Sequence, residues 1–280
     1  LIDCIELLSN EIDAGVCECI IVDNSADGFS KSCLAVSDFL SSSSVELIEN
    51  DQNLGFGKAC NIGARHAKGE FILFLNPDTR ISKDAIDEMY RTASSVPDFG
   101  VGGPRILETN GDVQASARAF PSMGTAFFGR TSLLSRLFPN NPYTQKQLQH
   151  DSVKAGNAQV DWVSGAALYI KRELFLELGG FDESFFMYWE DADLCKRISD
   201  YGLKCYYIKT ARIIHHQGVS SSKLYIQTQV EFHKSVYKYF RKHINNTSRV
   251  YAICVIIGLF VRFFFKLLMY IPNWVNQTSE

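Results

Sequence analysis

Short apolar runs rich in β-branched and aromatic residues alternate with helical patterns over the first hundred residues. This alternation is typical of βα units, which build a largely parallel sheet flanked by helices. The predicted strands cover 18–22, 45–48, 70–75 and 100–103, and the predicted helices cover 31–40, 58–67 and 83–93. The third strand is apolar along its length, as expected for a central strand covered on both faces. The chain is therefore predicted to be an α/β protein.

Composition and charge exclude several classes of protein. The 280-residue chain has 46% hydrophobic and 21% charged residues, close to the globular average, which argues against disordered and fibrous classes. A net charge of -3 and a pI near 6.1 argue against a nucleic-acid partner, because nucleic-acid binders usually carry a basic excess. The eight cysteines form no C-x-x-C pair, so we expect reduced thiols and a cytosolic compartment.

Polar residues follow two of the predicted strands. Asp23 and Asn24 come after the first strand, and Asn76-Pro77-Asp78 comes after the third. Ligands of open α/β sheets bind beyond the carboxyl ends of the strands, so these residues are expected to line one crevice. Asp78 could supply an oxygen ligand to Mg²⁺ or Mn²⁺ beside a diphosphate. The alternative is purely structural, because Asn-Pro is a common turn initiator after a strand.

The segment 53–63 is glycine-rich but matches neither of the common phosphate-binding fingerprints. The last glycine of a dinucleotide-binding G-x-G-x-x-G would fall on Cys60, and no G-x-x-x-x-G-K-[ST] pattern occurs in the chain. A nicotinamide oxidoreductase and a P-loop nucleotidase are therefore disfavoured.

The segment 181–193 combines acidic and aromatic residues. Its carboxylates are Asp182, Glu183, Glu190, Asp191 and Asp193, and its aromatic residues are Phe181, Phe185, Phe186, Tyr188 and Trp189. A solvated face would not normally carry so many large apolar side chains, which favours the wall of a cleft. The alternative for the last three carboxylates is stabilisation of the first turn of a helix, where negative charge meets the helix dipole.

Five motifs occur in order between about Glu18 and Ser221. They are Val22-Asp23-Asn24, Asn53-x-Gly-Phe-Gly with Asn61-x-Gly63, Phe74-Leu75-Asn76-Pro77-Asp78, the run from Gly179 to Arg197, and His215 ahead of Gly218 and Ser220. In this combination the chain resembles the bacterial family 2 glycosyltransferases, and most closely their rhamnosyltransferase branch. The resemblance implies a GT-A fold, which is Rossmann-like with a mostly parallel central sheet, and an inverting transfer from a nucleotide sugar.

The resemblance also implies roles for the matching residues. On the donor side, Asp23 and Asn24 would contact the nucleotide, Asn53, Gly55 and Asn61 would line the donor pocket, and Asp78 would bind the metal. Asp191 would be the catalytic base, and Trp162, Gly165, Asp182 and Glu190 would face the donor sugar and the acceptor. His215 would be a second metal or diphosphate ligand, and alternation along its strand points the neighbouring His216 to the opposite face.

The activity implied by the resemblance is transfer of a sugar, rhamnose in the first instance, to a hydroxyl of a membrane-linked glycan precursor in cell-surface polysaccharide synthesis. The implied donor is dTDP-rhamnose or a UDP-sugar, the acceptor a lipid-linked or other glycan, and the cofactor Mg²⁺ or Mn²⁺. Two alternatives are a transferase for UDP-hexose or UDP-N-acetylhexosamine, and a non-catalytic nucleotide- or glycan-binding relative. Family members normally begin with one further strand, and we expect this chain to start after it.

We expect a GT-A domain over 1–221 and C-terminal helices over 222–280. Between Lys234 and Ser279 there are seven Lys or Arg residues and no Asp or Glu. The stretch 250–271 has Arg262 and Lys266, four residues apart, as its charged residues among many aromatic and aliphatic ones. Such a helix can lie in a membrane interface with its cations near anionic headgroups, the alternative being a core or dimer helix. The expected location is the cytoplasmic face of a bacterial inner membrane.

Overall fold

The computed structural model describes residues 1–25, 42–121, 140, 156–215, 225–243, 253 and 255–264. The helices are α1 (Ile2–Glu6), α2 (Ser9–Asp13), α3 (Phe56–His66), α4 (Ala85–Ser95), α5 (Arg172–Glu177), α6 (Glu190–Asp200), α7 (Tyr225–His243) and α8 (255–264). The strands are β1 (Cys19–Asp23), β2 (Val45–Glu49), β3 (Phe71–Leu75), β4 (Thr79–Ile81), β5 (Phe99–Leu107), β6 (Ala117–Arg118), β7 (Ala158–Val160), β8 (Trp162–Val163), β9 (Ala167–Lys171) and β10 (Lys204–His215). The predicted helix at 31–40 and the domain boundary expected at 221 lie outside the described residues.

The central sheet is mixed, which corrects the expectation of a mostly parallel one. Its strand order is β3-β9-β5-β10-β4, with β7 also beside β10, and β5–β10 is its parallel pair. β9 runs antiparallel to both of its neighbours. Parallel strands are usually joined through a helical crossover, and helices lead into both strands of the parallel pair, α4 into β5 and α6 into β10. No helix leads into β4 or β9, which each follow the preceding strand after three connecting residues.

Helices cover both faces of this sheet, and alternating residues of each strand supply the two cores. Ile170 of β9 packs with Leu194 of α6 in one core. Tyr169, its neighbour in the same strand, packs with Met89 of α4 in the other core. The α/β class is therefore confirmed, and α6 brings its acidic first turn to one face of the sheet.

β1 and β2 form a separate two-stranded parallel sheet, against which α3 packs. Gly63 of α3 lies so close to β1 that a Cβ atom there would be 3.1 Å from a side-chain carbon of Val22. This close packing fixes the start of α3 beside the carboxyl ends of β1 and β2.

The C-terminal helices α7 and α8 pack on each other. Val236 and Phe240 of α7 form a buried cluster with Val255 of α8. Over the described residues, no helix is both long and apolar enough to cross a bilayer.

Candidate active site

The carboxyl ends of β1 and β2 are joined by the side chain of Asn24. Its Oδ1 accepts hydrogen bonds from the Leu54 amide at 3.0 Å and from Asn50 Nδ2 at 3.1 Å. Its Nδ2 donates to Asn53 Oδ1 at 3.0 Å and to the Gly55 carbonyl at 3.2 Å. Three predicted donor-side residues, Asn24, Asn53 and Gly55, thus lie together.

Asp23 lies beside this network as the last residue of β1 and is buried. Its Oδ1 accepts hydrogen bonds from the Ser25 amide at 2.9 Å and the Ser25 hydroxyl at 2.5 Å. The carboxylate is therefore held in one orientation at the strand end, where the sequence predicts contact with a nucleotide.

Gly55 connects this loop to the acidic and aromatic segment. Its φ is +86°, and a Cβ atom at this position would lie 2.4 Å from the Phe186 carbonyl oxygen. The next amide, that of Phe56, donates to the same carbonyl at 2.9 Å. Glycine is needed here both for the left-handed backbone and for the close approach.

Asn61 departs from its predicted place in the lining of the donor pocket. The residue is 5% exposed, and its Oδ1 accepts from the Phe181 amide while its Nδ2 donates to the Phe181 carbonyl, both at 2.8 Å. Nδ2 also lies 3.2 Å from Glu183 Oε1. A buried amide must satisfy its polar atoms within the protein, so Asn61 holds the backbone that leads into the acidic segment.

Asp78 and His215 lie together, as the sequence predicts, although 137 positions separate them in the chain. His215 Nε2 is 3.2 Å from Asp78 Oδ1, a buried oxygen that accepts no aligned hydrogen bond from the described residues. Nδ1 of the same ring is 3.0 Å from Gln114 Oε1, so Nε2 is the ring nitrogen that faces Asp78. Burial by itself raises the pKa of Asp78, but the adjacent His215 and backbone groups outweigh it and leave that pKa below its usual range.

The Asp78–His215 pair fits a divalent cation that is shared with a substrate. Adjacent ligands on an octahedral metal, each about 2.1 Å from it, are separated by about 3 Å, close to the observed 3.2 Å. The described residues hold no group of three or more His, Cys, Asp or Glu side chains able to bind a metal. Mg²⁺ is often held by one or two carboxylates plus substrate phosphates, so two protein ligands suit such a shared ion.

Asp191 lies in the first turn of α6 and is partly exposed. Its Oδ2 accepts the Gly165 amide and its Oδ1 accepts the Ala192 amide, each at 2.8 Å. Burial raises the pKa of Asp191, although these two amides and Arg118 oppose the rise. Each carboxylate oxygen retains a second lone pair, so the group can still accept a proton.

Two of the predicted acceptor-side residues have different environments. Glu190 is 5% exposed, its Oε2 has no hydrogen-bond partner among the described residues, and burial together with Asp191 raises its pKa well above the usual range. Asp182 instead pairs with Lys242 at 2.5 Å. Burial by itself would raise the pKa of Asp182, but the contacts with Lys242 and Ser184 outweigh burial and lower this pKa to about 2. Asp182 is therefore an ion-pair partner of α7.

Trp162 is buried and forms part of a stack of flat groups. Its Nε1 donates to the Ala119 carbonyl at 3.0 Å, and its ring stacks on that of Trp189 at 6.2 Å. The Arg118 guanidinium lies 4.9 Å from the Trp162 ring centre on the neighbouring strand. Trp162 therefore has a packing role in the wall of the site, three positions before Gly165.

Sequence reasoning missed Gln114, Arg118 and the partners of Asp193. Asp193 has no exposed surface and lies 2.8 Å from Arg197 Nε, 2.6 Å from His243 Nε2 and 2.7 Å from Lys242 Nζ. The spacing of Asp193 and Arg197 is a readable i, i+4 signal. No local pattern connects α6 to residues 50 positions away.

Comparisons with known proteins agree on the class of protein. The sequence model of Glycosyl transferase family 2 matches residues 1–155. An N-acetylglucosaminyl-diphospho-decaprenol L-rhamnosyltransferase of Mycobacterium tuberculosis is 32% identical over 204 residues, 69% of this chain and 66% of the relative. A low-salt glycan biosynthesis hexosyltransferase of Haloferax volcanii is 26% identical over 85% of this chain and 70% of its own length. The chain thus spans just under two thirds of the mycobacterial relative.

Among solved structures, GalNAc-T7 with UDP, GalNAc and Mn²⁺ has a TM-score of 0.60 and 16% identity. The match covers 82% of this chain and 42% of that one. At this identity the likeness concerns the fold, and it confirms the predicted GT-A architecture.

Proposed function

Because the chain belongs to glycosyl transferase family 2, we propose that it is an inverting glycosyltransferase that moves rhamnose from a nucleotide-diphosphate donor to a hydroxyl of a lipid-linked glycan precursor. The rhamnose and the lipid-diphosphate acceptor are suggested by the name of the mycobacterial relative. Synthesis of a cell-surface polysaccharide is the process that such a transfer would serve.

One segment carries this proposal, because residues 114–118 touch both ends of the site. Gln114 lies 3.0 Å from His215 of the metal-type pair. Arg118 lies over Trp162, three positions before the Gly165 amide that binds Asp191. Arg118 also acts electrostatically on Asp191, and four residues of extended chain span at most about 13 Å, which supports placing the pair and the carboxylate at one cleft.

The mechanism follows from the roles these groups can perform. Asp191, held by two amides, accepts the proton of the acceptor hydroxyl, and the oxygen attacks the anomeric carbon from the side opposite the diphosphate. The bond to the diphosphate breaks as the new glycosidic bond forms, which inverts the configuration. Asp78 and His215 would hold Mg²⁺ or Mn²⁺, and a bound cation would supply positive charge against the departing diphosphate.

A donor screen tests the proposal. The purified chain is incubated with dTDP-rhamnose, UDP-glucose or UDP-N-acetylglucosamine, an N-acetylglucosaminyl-diphospho-lipid, and either Mg²⁺ or Mn²⁺, while nucleoside diphosphate release is measured. We expect the fastest release from dTDP-rhamnose and a product of inverted configuration. Faster turnover of a UDP-sugar would favour the second candidate, a hexosyltransferase, which the coverage of the Haloferax relative supports. Donor binding without release would indicate a non-catalytic relative.

His215→Ala is expected to raise the metal concentration needed for half-maximal activity by about tenfold or more, because it removes one of two protein ligands. The measurement is a titration of nucleoside diphosphate release with Mn²⁺. His66→Ala serves as the control, since His66 pairs with Glu46 at the surface and should leave the titration unchanged. An unchanged titration of the His215 variant would refute the ligand role.

We further propose that α8 attaches the protein to a membrane surface. Its exposed residues fall on one helical face and are mostly large and apolar: Ile256, Ile257, Phe260, Val261 and Phe264. Arg262 was expected to face anionic lipid headgroups. In the structure its guanidinium instead packs against α7, 5.2 Å from the Phe232 ring centre. Attachment then rests on the apolar face, which is typical of helices that lie in the interface.

Replacing Phe260 and Phe264 together by Asp is expected to abolish binding to vesicles of phosphatidylethanolamine and phosphatidylglycerol. The two rings are 68% and 52% exposed, and a charge in their place opposes burial among acyl chains. Cosedimentation with the vesicles measures the effect. Tyr201→Asp, at a similarly exposed aromatic residue that caps the C-terminus of α6, is the matched control. Equal sedimentation of both variants would contradict membrane attachment through α8.

A further inference from the structure

The two residues immediately before α6 have an unusual backbone. Tyr188 and Trp189 have φ values of 65° and 72°, and they are the positive-φ residues other than glycine in the described part of the chain. The left-handed region is unfavourable for bulky residues, and neither side chain has the short polar group that eases this cost in Asn or Asp. The surrounding structure must therefore hold both residues in place.

Aromatic side chains of α7 surround this pair. The Trp189 ring lies 5.1 Å from Tyr239, 6.1 Å from Phe232 and 6.3 Å from Phe240, measured between ring centres. Tyr188 lies 5.8 Å from the same Phe232 ring. Contacts between aromatic rings stabilise a fold beyond the apolar area that they bury, and they offset the cost of the left-handed backbone here.

Polar contacts from α7 fix the chain on either side of Asp191. The hydroxyl of Ser235, a residue with 1% exposure, donates to the Met187 carbonyl at 2.8 Å. At the other end of the helix, Lys242 and His243 bind Asp193, two positions beyond Asp191. The backbone that carries Asp191 is thus held before and after the carboxylate by one helix.

We propose that α7 is a positioning element for the catalytic base, with Ser235 as the residue that fixes the left-handed turn at Tyr188 and Trp189 and so directs Asp191 towards the Gly165 amide. This inference rests on the proposed function for the role of Asp191. The contacts of α7 described above fall on the segment before α6 and on α6 itself, so its effect on the reaction is expected through the base.

Ser235→Ala tests the proposal. It leaves the Met187 carbonyl without its partner, and small displacements of a reacting group lower turnover strongly, so we expect kcat to fall about tenfold while the donor KM stays within about twofold. Ser235→Thr keeps the hydroxyl and should retain most of the turnover. Lys234→Ala, a surface residue of the same turn paired with Glu231, is the matched control and should behave as the wild type.

A second readout separates positioning from a loss of folded protein. The Gly165 amide opposes the rise in the pKa of Asp191, so a loosened contact raises that pKa. The other charged groups nearby are unchanged in the variant. Arg118 and Glu190 interact with Asp191, and Asp193 interacts with Glu190. In ¹⁵N-glycine-labelled protein, the pH titration of the Gly165 amide should therefore move to higher pH in Ser235→Ala, together with the acid limb of the rate profile.

An unaltered Gly165 titration, with or without a fall in kcat, would overturn the proposal and leave Ser235 as a stability residue. The amide titration does not depend on turnover. If the wild type transfers no sugar, the proposed function fails, but the link between α7 and Asp191 is still decided by this measurement.

Discussion

Asp191→Asn is expected to lower turnover by about 10²-fold or more while donor affinity changes little. The substitution preserves shape and can still accept the Gly165 amide through its carbonyl oxygen, but an amide cannot take up the acceptor proton. Initial rates of nucleoside diphosphate release give kcat, and calorimetric titration with the nucleoside diphosphate gives the affinity.

The matched control for this experiment is Asp200→Asn. Asp200 is in the same helix, exposed and paired with Lys196, so it should retain full turnover. Near-native turnover in the Asp191 variant would move the role of base to Glu190 or Asp193. Asp193 is the weaker alternative, because it has no exposed surface and is already bound by Arg197, Lys242 and His243.

Asp193→Ala is expected to destabilise the protein by about 3 kcal/mol, because removing one partner of a buried ion pair leaves the other charges uncompensated. Arg197 is partly compensated by the carbonyls of Leu178 and Gly180, and Lys242 by Asp182, so we expect the lower end of the usual range. Urea unfolding measures the change. Asp200→Ala is the control, because it removes the exposed ion pair with Lys196 instead. The free energy of unfolding should then fall by less than about 1 kcal/mol.

The contribution of Asp193 also depends on pH. Burial raises the pKa of Asp193, but His243, Lys242 and Arg197 outweigh burial and lower it overall. A carboxylate with a depressed pKa stabilises the fold above its unfolded pKa of about 3.9, and this stabilisation is lost as the pH falls. The difference in stability between the wild type and Asp193→Ala should therefore shrink below that pH. A constant difference would contradict the charged state of Asp193.

Periodicity in the sequence was sufficient to predict most of the elements around the site. The strands β1, β2, β3 and β5 and the helices α3 and α4 lie within a few residues of their predicted positions, because their cores require apolar residues at regular spacing. The direction of β9 was not predictable in this way. Periodicity identifies a strand but does not reveal which neighbours it pairs with or in which direction.

The residues of the candidate site were likewise predictable from the sequence only in part. The polar residues at strand ends, such as Asn24 and Asp78, could be identified because the ends of strands converge on one crevice. Asn61 is a polar residue of a type common in ligand pockets, but in the structure its side-chain amide binds the backbone of Phe181. The proposed dependence of Asp191 on α7 has no sequence signal, because nothing local distinguishes Ser235 from other helical serines; only the structure shows its contact with Met187.

The packing of α8 on α7 has a consequence for where the enzyme works. Val255 of α8 is buried against Phe240, and Phe240 contacts Trp189, two positions before Asp191. A bilayer that binds α8 in its docked form must, by thermodynamic linkage, stabilise the docked arrangement of α7 by the same factor by which that arrangement strengthens membrane binding. Under the proposed function, membrane attachment and the alignment of Asp191 would then be linked in one equilibrium. Turnover would be greatest on a membrane that carries the acceptor and lower for molecules free in solution.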